Sequence, residues 1–249
     1  MIYVTGDTHG DFRRFHKESR FMVGYAPMAR DYVIVCGDFG LLRERNGVFR
    51  RNLDFLKSLP FTVLWVRGNQ ENHDMIAEYP LEKWHGGMTR HIIRDKVILL
   101  ERGQVFQIEG KRFFIFGGAG CHDVGDSAVA RQGAEREGRD SYRCRILGGT
   151  RQRQGLPTKK EMREGIWNLK KAGYSVDYVI THCLAGNMME KLRKFAWRYL
   201  DCPMDSLTGY FDLLESRLQY KHWYCGHYHM YSDIDEKHTL LFQMIEELR

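Results

Sequence analysis

The sequence predicts a mixed α/β sandwich, and two patterns along its 249 residues favour this fold class. Over the first 70 residues, short apolar runs rich in β-branched residues alternate with helix-like stretches, which is typical of crossovers between parallel strands. Residues 97–118 hold strand-like runs with no helix-like stretch between them and predict antiparallel hairpins. Since no repeat or linker divides the chain, we expect one domain over residues 1–249.

The predicted elements can be placed in chain order. The strand-like runs are Ile2–Thr5, Tyr32–Cys36, Thr62–Val66, Val97–Leu100, Val105–Ile108, Arg112–Phe116, Tyr178–Thr181, His222–Cys225 and Thr239–Met244. Helical spacing of apolar residues predicts helices over Phe49–Leu56, Lys160–Lys171 and Met188–Leu200.

Composition disfavours several classes of protein. No apolar run reaches the roughly 18–20 residues that span a bilayer, and the first strand-like run begins at Ile2, which leaves no room for a signal peptide. We therefore expect a cytoplasmic protein with no membrane partner. The six cysteines form no CxxC pair, which disfavours a zinc finger, and we expect reduced thiols.

The net charge of +6 weakly favours an anionic partner, either a phosphate ester or a nucleic acid. Seven arginines fall within residues 131–153, where acidic residues are interspersed. This segment fits a nucleic-acid patch and an ordinary solvated segment about equally well.

Five strand-like runs are each followed by residues that can bind a metal. In chain order these residues are Asp7, His9, Asp38, Asn69, His182, His227 and His229. Because the carboxyl ends of parallel strands meet at one edge of a sheet, we expect the side chains to converge. Oxygen ligands mixed with imidazoles suit Mn²⁺, Fe or Zn²⁺, and seven ligands are enough for two divalent ions.

The motifs Asp7-x-His9, Gly37-Asp38, Gly68-Asn69, His182 and Gly226-His227-x-His229 resemble, in order and spacing, those of the metallophosphoesterase (calcineurin-like phosphoesterase) superfamily. The resemblance runs from residue 6 to residue 229. It implies a four-layer α/β/β/α sandwich with two mixed sheets and a dinuclear metal site at the C-terminal ends of strands.

The resemblance also implies roles for individual residues. Asp7, His9 and His229 would bind one ion, Asn69, His182 and His227 would bind the other, and Asp38 would bridge them. The implied reaction is hydrolysis of a phosphate ester by a metal-bridging hydroxide, with a phosphomonoester slightly favoured. The implied catalytic residues are Asp38, Asn69, Gln70 and His182.

Gln70 departs from the family pattern, which usually has a histidine at this point of its third motif. That histidine is thought to protonate the leaving group, whereas a glutamine amide donates a hydrogen bond but no proton. Loss of general-acid catalysis typically slows a reaction by about 10²–10⁴-fold. Candidate replacement proton donors are His73, which we expect to start a helix, and the pair His122 and Asp123 in a glycine-rich loop.

Three functions therefore remain open from the sequence. The first is a metal-dependent phosphoesterase. The second is a nuclease or nucleotide phosphodiesterase, which the basic charge favours. The third is a weakly active or inactive metal-binding protein, which only Gln70 favours. The sequence leaves the metal identity, the physiological substrate and the oligomeric state open.

Overall fold

The structure, a computed structural model, describes residues 1–120, 155–196 and 204–249. Its strands are β1 (Ile2–Thr5), β2 (Tyr32–Val35), β3 (Thr62–Trp65), β4 (Glu82–Trp84), β5 (Gly87–Ile93), β6 (Val97–Leu100), β7 (Gln104–Ile108), β8 (Lys111–Phe116), β9 (Tyr178–Thr181), β10 (His222–Cys225), β11 (Ser232–Asp235), β12 (His238–Leu240) and β13 (Ile245–Glu247). Its α-helices are α1 (Arg20–Tyr25), α2 (Gly47–Ser58), α3 (His73–Ala77), α4 (Lys159–Lys171), α5 (Gly186–Arg193) and α6 (Ser206–Glu215).

The strands form two mixed sheets. The first has the order β13-β1-β2-β3-β6-β5-β4, and the second has the order β11-β12-β10-β9-β8-β7. In the first sheet β1, β2, β3 and β6 are parallel, and in the second sheet β8, β9, β10 and β12 are parallel. Antiparallel strands close both edges of each sheet. The prediction of a mixed α/β fold is confirmed.

The two sheets pack face to face and carry helices on their outer faces. Inner-face residues such as Val4, Leu64 and Phe113 share one hydrophobic cluster. Alternate residues of the same strands point outward, so Val35 packs in a second cluster with Leu56 of α2. This arrangement gives the four layers α/β/β/α, and it follows from strands that are apolar on both faces.

Residues 97–118 do not form the continuous set of hairpins that the sequence predicts. Only β7 and β8 pair as an antiparallel hairpin. Strand β6 lies parallel to β3 in the first sheet, whereas β7 belongs to the second sheet. The chain changes sheets at residues 101–103, and this change leaves no trace in the hydrophobic pattern because both sheets bury their inner faces.

Two further predictions about elements were wrong. The run Thr239–Met244 is not one strand, because β12 ends at Leu240 and β13 begins at Ile245 in the other sheet. The helix predicted over Met188–Leu200 ends at Arg193, and residues 197–200 of that range lie outside the described residues. No helix within the described parts of the chain is long and apolar enough to cross a membrane.

Candidate metal centre

The candidate ligands follow strands that run in the same direction within each sheet. Strands β1, β2 and β3 are parallel neighbours in the first sheet, and β9 and β10 are parallel neighbours in the second. Their carboxyl ends therefore lie at one edge of each sheet, which brings side chains from distant parts of the chain together. His9 and His229, which are 220 residues apart, approach within 2.8 Å through their Nε2 atoms.

Asp7, His9 and His229 form the first cluster. The Oδ2 atom of Asp7 lies 3.6 Å from Nε2 of His9 and 3.2 Å from Nε2 of His229. This buried oxygen accepts no hydrogen bond from the described residues, and an unsatisfied buried carboxylate oxygen costs free energy. Three ligand atoms that all lie within 4.8 Å of one another fit a bound cation.

His182 is the centre of the second cluster. Its Nε2 atom lies 3.0 Å from Oδ1 of Asn69 and 3.6 Å from Oδ2 of Asp38. Its Nδ1 atom lies 2.7 Å from the carbonyl oxygen of Cys36. A ring that donates from Nδ1 to a carbonyl keeps its Nε2 lone pair available to a metal, as in many metal-binding histidines.

The two clusters are contiguous. Ligand atoms of Asp7, Asp38 and His182 also lie within 4.8 Å of one another. The backbone N–H of His227 donates to Oδ1 of Asp7 at 2.9 Å, and the ring centroids of His227 and His182 are 4.9 Å apart. All seven candidate ligands thus surround one small region, although the roles within it stay predictions.

Electrostatic coupling between the buried groups is strong. Burial raises the pKa of Asp38, but the neighbouring His182 lowers it well below its usual range. Burial lowers the pKa of His182, but Asp38 and Asp7 raise it to about 9. Burial and the charge of Asp38 together raise the pKa of Glu71 to about 7. The buried carboxylates of Asp7 and Asp38 therefore attract positive charge into the region between them.

Four candidate ligands have a left-handed backbone conformation, with φ of 48° at His9, 43° at Asp38, 69° at His227 and 47° at His229. Such conformations cost of order 1 kcal/mol or more for residues other than glycine. These residues lie in loops that follow strands, and a left-handed residue lets each loop turn sharply and direct its side chain back toward the sheet edge.

Glycines next to the ligands allow the loops to approach one another closely. Gly37 has φ of +101°, and a Cβ atom there would lie 2.2 Å from Nδ1 of His182. A Cβ atom at Gly68 would lie 1.8 Å from Oδ1 of Asp38. A glycine has no Cβ atom, so at these two positions the backbone can lie directly against His182 and Asp38.

The remaining predicted residues differ in their surroundings. The backbone N–H of Gln70 donates to Oδ1 of Asp38 at 2.9 Å. His73 begins helix α3 and lies 3.3 Å from Nη1 of Arg67. Burial and the nearby arginines lower the pKa of His73 to about 4. The ring is therefore neutral at neutral pH, accepts a hydrogen bond from Arg67 and is rarely protonated, so it is a poor proton donor.

His122, Asp123 and residues 131–153 lie outside the described residues.

Several residues beside the ligands were given no site role by sequence reasoning. A carboxylate oxygen of Glu71 accepts from the Phe39 N–H at 2.8 Å and joins the loops after β2 and β3. Nη2 of Arg43 lies 3.4 Å from Nδ1 of His9. The ring of Phe242 stacks on His229 with centroids 4.8 Å apart. Glu71 follows Gln70 directly, but neither Arg43 nor Phe242 stands in a recognisable motif.

Comparison with known proteins identifies the family of the chain. The sequence model for calcineurin-like phosphoesterases matches residues 1–231. No curated protein matches the chain. One similar solved structure is a phosphopantetheinyl hydrolase from Mycobacterium tuberculosis, with 15% identity, a TM-score of 0.39, and coverage of 97% of this chain and 89% of that chain. The match over residues 1–231 shows that the chain belongs to the calcineurin-like phosphoesterase family.

Proposed function

We propose that this protein is a phosphoesterase that binds two divalent ions, with Mn, Fe or Zn as the candidate metals. Asp7, His9 and His229 would hold one ion, and Asn69, His182 and His227 the other, with Asp38 between them. The observation that carries the proposal is the buried Asp7 Oδ2 atom, which faces two histidine Nε2 atoms. When bound, such ions neutralise charge on phosphate oxygens and make water a better nucleophile.

The surrounding chain orients the ligands. The Gln70 N–H holds one oxygen of Asp38, and the Cys36 carbonyl holds the ring of His182. Such fixed partners keep ligands in position without reorganisation during the reaction. The Gln70 side chain can donate a hydrogen bond to the substrate but no proton, so a leaving group must depart without one from this residue.

A phosphomonoester is the substrate class that we favour. Arg43 brings a guanidinium to within 3.4 Å of a ring nitrogen of His9, next to the proposed ions. A further positive charge at this position suits the dianion of a monoester better than the single charge of a diester.

The proposal can be tested by Mn²⁺-supplemented hydrolysis of an aryl phosphomonoester and an aryl phosphodiester. We expect turnover by the natural sequence, faster with the monoester, and loss of turnover in Asp38→Asn. The control is Asp54→Asn, which changes a carboxylate that is 77% exposed on helix α2. Preference for the diester would favour a nucleotide phosphodiesterase or nuclease. A protein that binds Mn²⁺ but hydrolyses neither ester would contradict the proposal.

A further inference from the structure

Arg14 lies directly behind the first ligand cluster, and the sequence alone attaches no role to it. It belongs to a short 3-10 turn over Arg13–Phe15. Its guanidinium donates to four acceptors, from Nη1 to Thr5 Oγ1 at 2.7 Å, the Gly6 carbonyl at 3.1 Å and the Phe242 carbonyl at 2.6 Å, and from Nη2 to the Asp7 carbonyl at 2.7 Å.

These acceptors belong to two segments that are far apart in the chain. One is the end of β1, which leads into Asp7. The other is the connection between β12 and β13, which carries Phe242. The Phe242 ring stacks on His229 with an interplanar angle of 18°, and the Gly6 N–H donates to the Phe242 carbonyl at 3.1 Å. One side chain thus ties the backbone of Asp7 to the residue that packs against His229.

We propose that Arg14 is a positioning residue that sets the relative placement of Asp7 and His229, and so the affinity of the ion that they share with His9. The assignment rests on the ligand set proposed above. A guanidinium is suited to this task because its planar fork fixes several acceptors at once, which a lysine ammonium cannot do. Partners behind metal ligands typically change metal affinity by about 10–100-fold when they are removed.

Two effects of Arg14 on the ion oppose each other. Burial lowers the pKa of the Arg14 guanidinium to about 10, so the group still carries its charge at neutral pH. That charge repels a nearby cation, whereas the fork orients the ligands. Because the hydrogen bonds go to backbone carbonyls and a hydroxyl, orientation is the effect that the contacts favour. The proposal therefore predicts weaker metal binding when Arg14 is removed.

The test is a Mn²⁺ titration of the metal-free full chain. Calorimetry measures the affinity of each binding phase, and electron paramagnetic resonance detects the signal of coupled Mn²⁺ pairs. Asp7→Asn identifies which binding phase belongs to the first cluster. In Arg14→Met we expect that phase to weaken about 10–100-fold, while the other phase is unchanged and the coupled signal gives way to that of an isolated ion. Arg14→Lys keeps the charge but not the fork, and we expect an intermediate loss.

Arg112→Met is the matched control. Arg112 also bonds a carbonyl and a hydroxyl, those of Ala172 and Ser175, but at the opposite end of β8 from the metal centre. It should leave both binding phases unchanged. If Arg14→Met does not fold, as judged by circular dichroism, Arg14→Lys decides the question.

Three results would overturn the proposal about Arg14. These are unchanged binding, equal weakening of both phases, and tighter binding, which would mean that the charge outweighs orientation. If the natural sequence itself binds no Mn²⁺, the proposed function fails and this assignment fails with it. Normal binding of two ions together with an insensitive Arg14 would contradict only the assignment.

Discussion

At the scale of single residues, Gln70 separates two contributions that a histidine at this position would combine. Its backbone N–H donates to Asp38, and any residue except proline can make that bond. Its side chain supplies a hydrogen bond without a proton. On the proposed ligand set, the backbone of residue 70 would support metal binding and its side chain would decide proton donation, so the two can be varied separately.

Gln70→His should restore proton donation without changing the metal centre. We expect kcat for an alkyl phosphate to rise by up to about 10²–10⁴-fold, with little gain for an aryl phosphate whose leaving group needs no proton. A plot of log kcat against leaving-group pKa should be steep for the natural sequence and flatter for the variant. Mn²⁺ affinity should be equal in both.

Gln70→Leu is the control for this comparison, since it keeps the backbone N–H and loses the amide. It should lower kcat for both esters and leave the slope steep. An equal gain for alkyl and aryl esters in Gln70→His would contradict the view that the missing proton limits this protein.

At the scale of elements, His222 joins two strands of the second sheet. It is buried on β10, and its Nε2 atom lies 2.8 Å from the hydroxyl of Thr239 on β12. That hydroxyl donates to Asp233 at 2.6 Å, so it accepts from His222. Burial, and then the charge of Arg249, lowers the pKa of His222 to about 4. The neutral ring is therefore the form that the fold stabilises.

The pH dependence of stability follows from the direction of this shift. The unfolded chain binds a proton at His222 near pH 6.5, but the folded chain binds it only near pH 4. The stability that neutral His222 contributes is thus fully present above about pH 6.5, and it is lost as the pH decreases toward 4. Because one pKa unit corresponds to about 1.4 kcal/mol, the loss is at most about 3 kcal/mol.

His222→Gln should remove this part of the pH dependence, because an amide can donate to Thr239 but does not titrate. In urea unfolding with a chelator present, the natural sequence should be the more stable at pH 7, and the difference should narrow toward pH 4. A difference that is constant from pH 7 to pH 4 would mean that His222 has an ordinary pKa in the folded protein.

At the scale of the whole molecule, the metal centre is where the two sheets meet and where buried charge is concentrated. Asp7 and Asp38 are buried. Burial and the charge of Asp38 raise the pKa of Asp7, but the neighbouring His182 and His229 lower it overall. Residues from both sheets enclose the two aspartates. The positive charge of His182 offsets the repulsion between the two carboxylates in the metal-free protein. Cations bound between the carboxylates would offset it further and would favour the folded chain.

Metal should consequently stabilise the folded chain. At a Mn²⁺ concentration 100 times Kd, binding contributes about 2.7 kcal/mol, which corresponds to a rise in Tm of about 5–10 °C for a chain of this length. Scanning calorimetry with Mn²⁺ and with a chelator measures the difference. Asp7→Asn should reduce the rise. An undiminished rise in Asp7→Asn would show that the ions bind elsewhere.

Much of this organisation is readable from the amino-acid order. Strand-like runs that end in Asp, Asn or His predict both the direction of the central strands and the chemistry at their ends, because side-chain type and local periodicity are properties of short segments. The expected family and fold class are confirmed on this basis. His73 was also correctly predicted to start a helix.

Contacts between distant segments were decided only by the folded chain. Nothing in the run Thr239–Met244 shows that the chain crosses from one sheet to the other there, because both sheets bury equally apolar residues. That crossing puts Phe242 against His229 and its carbonyl within reach of Arg14. A backbone carbonyl is present at every residue and carries no sequence signal, so the partners of Arg14 exist only once the two sheets have packed.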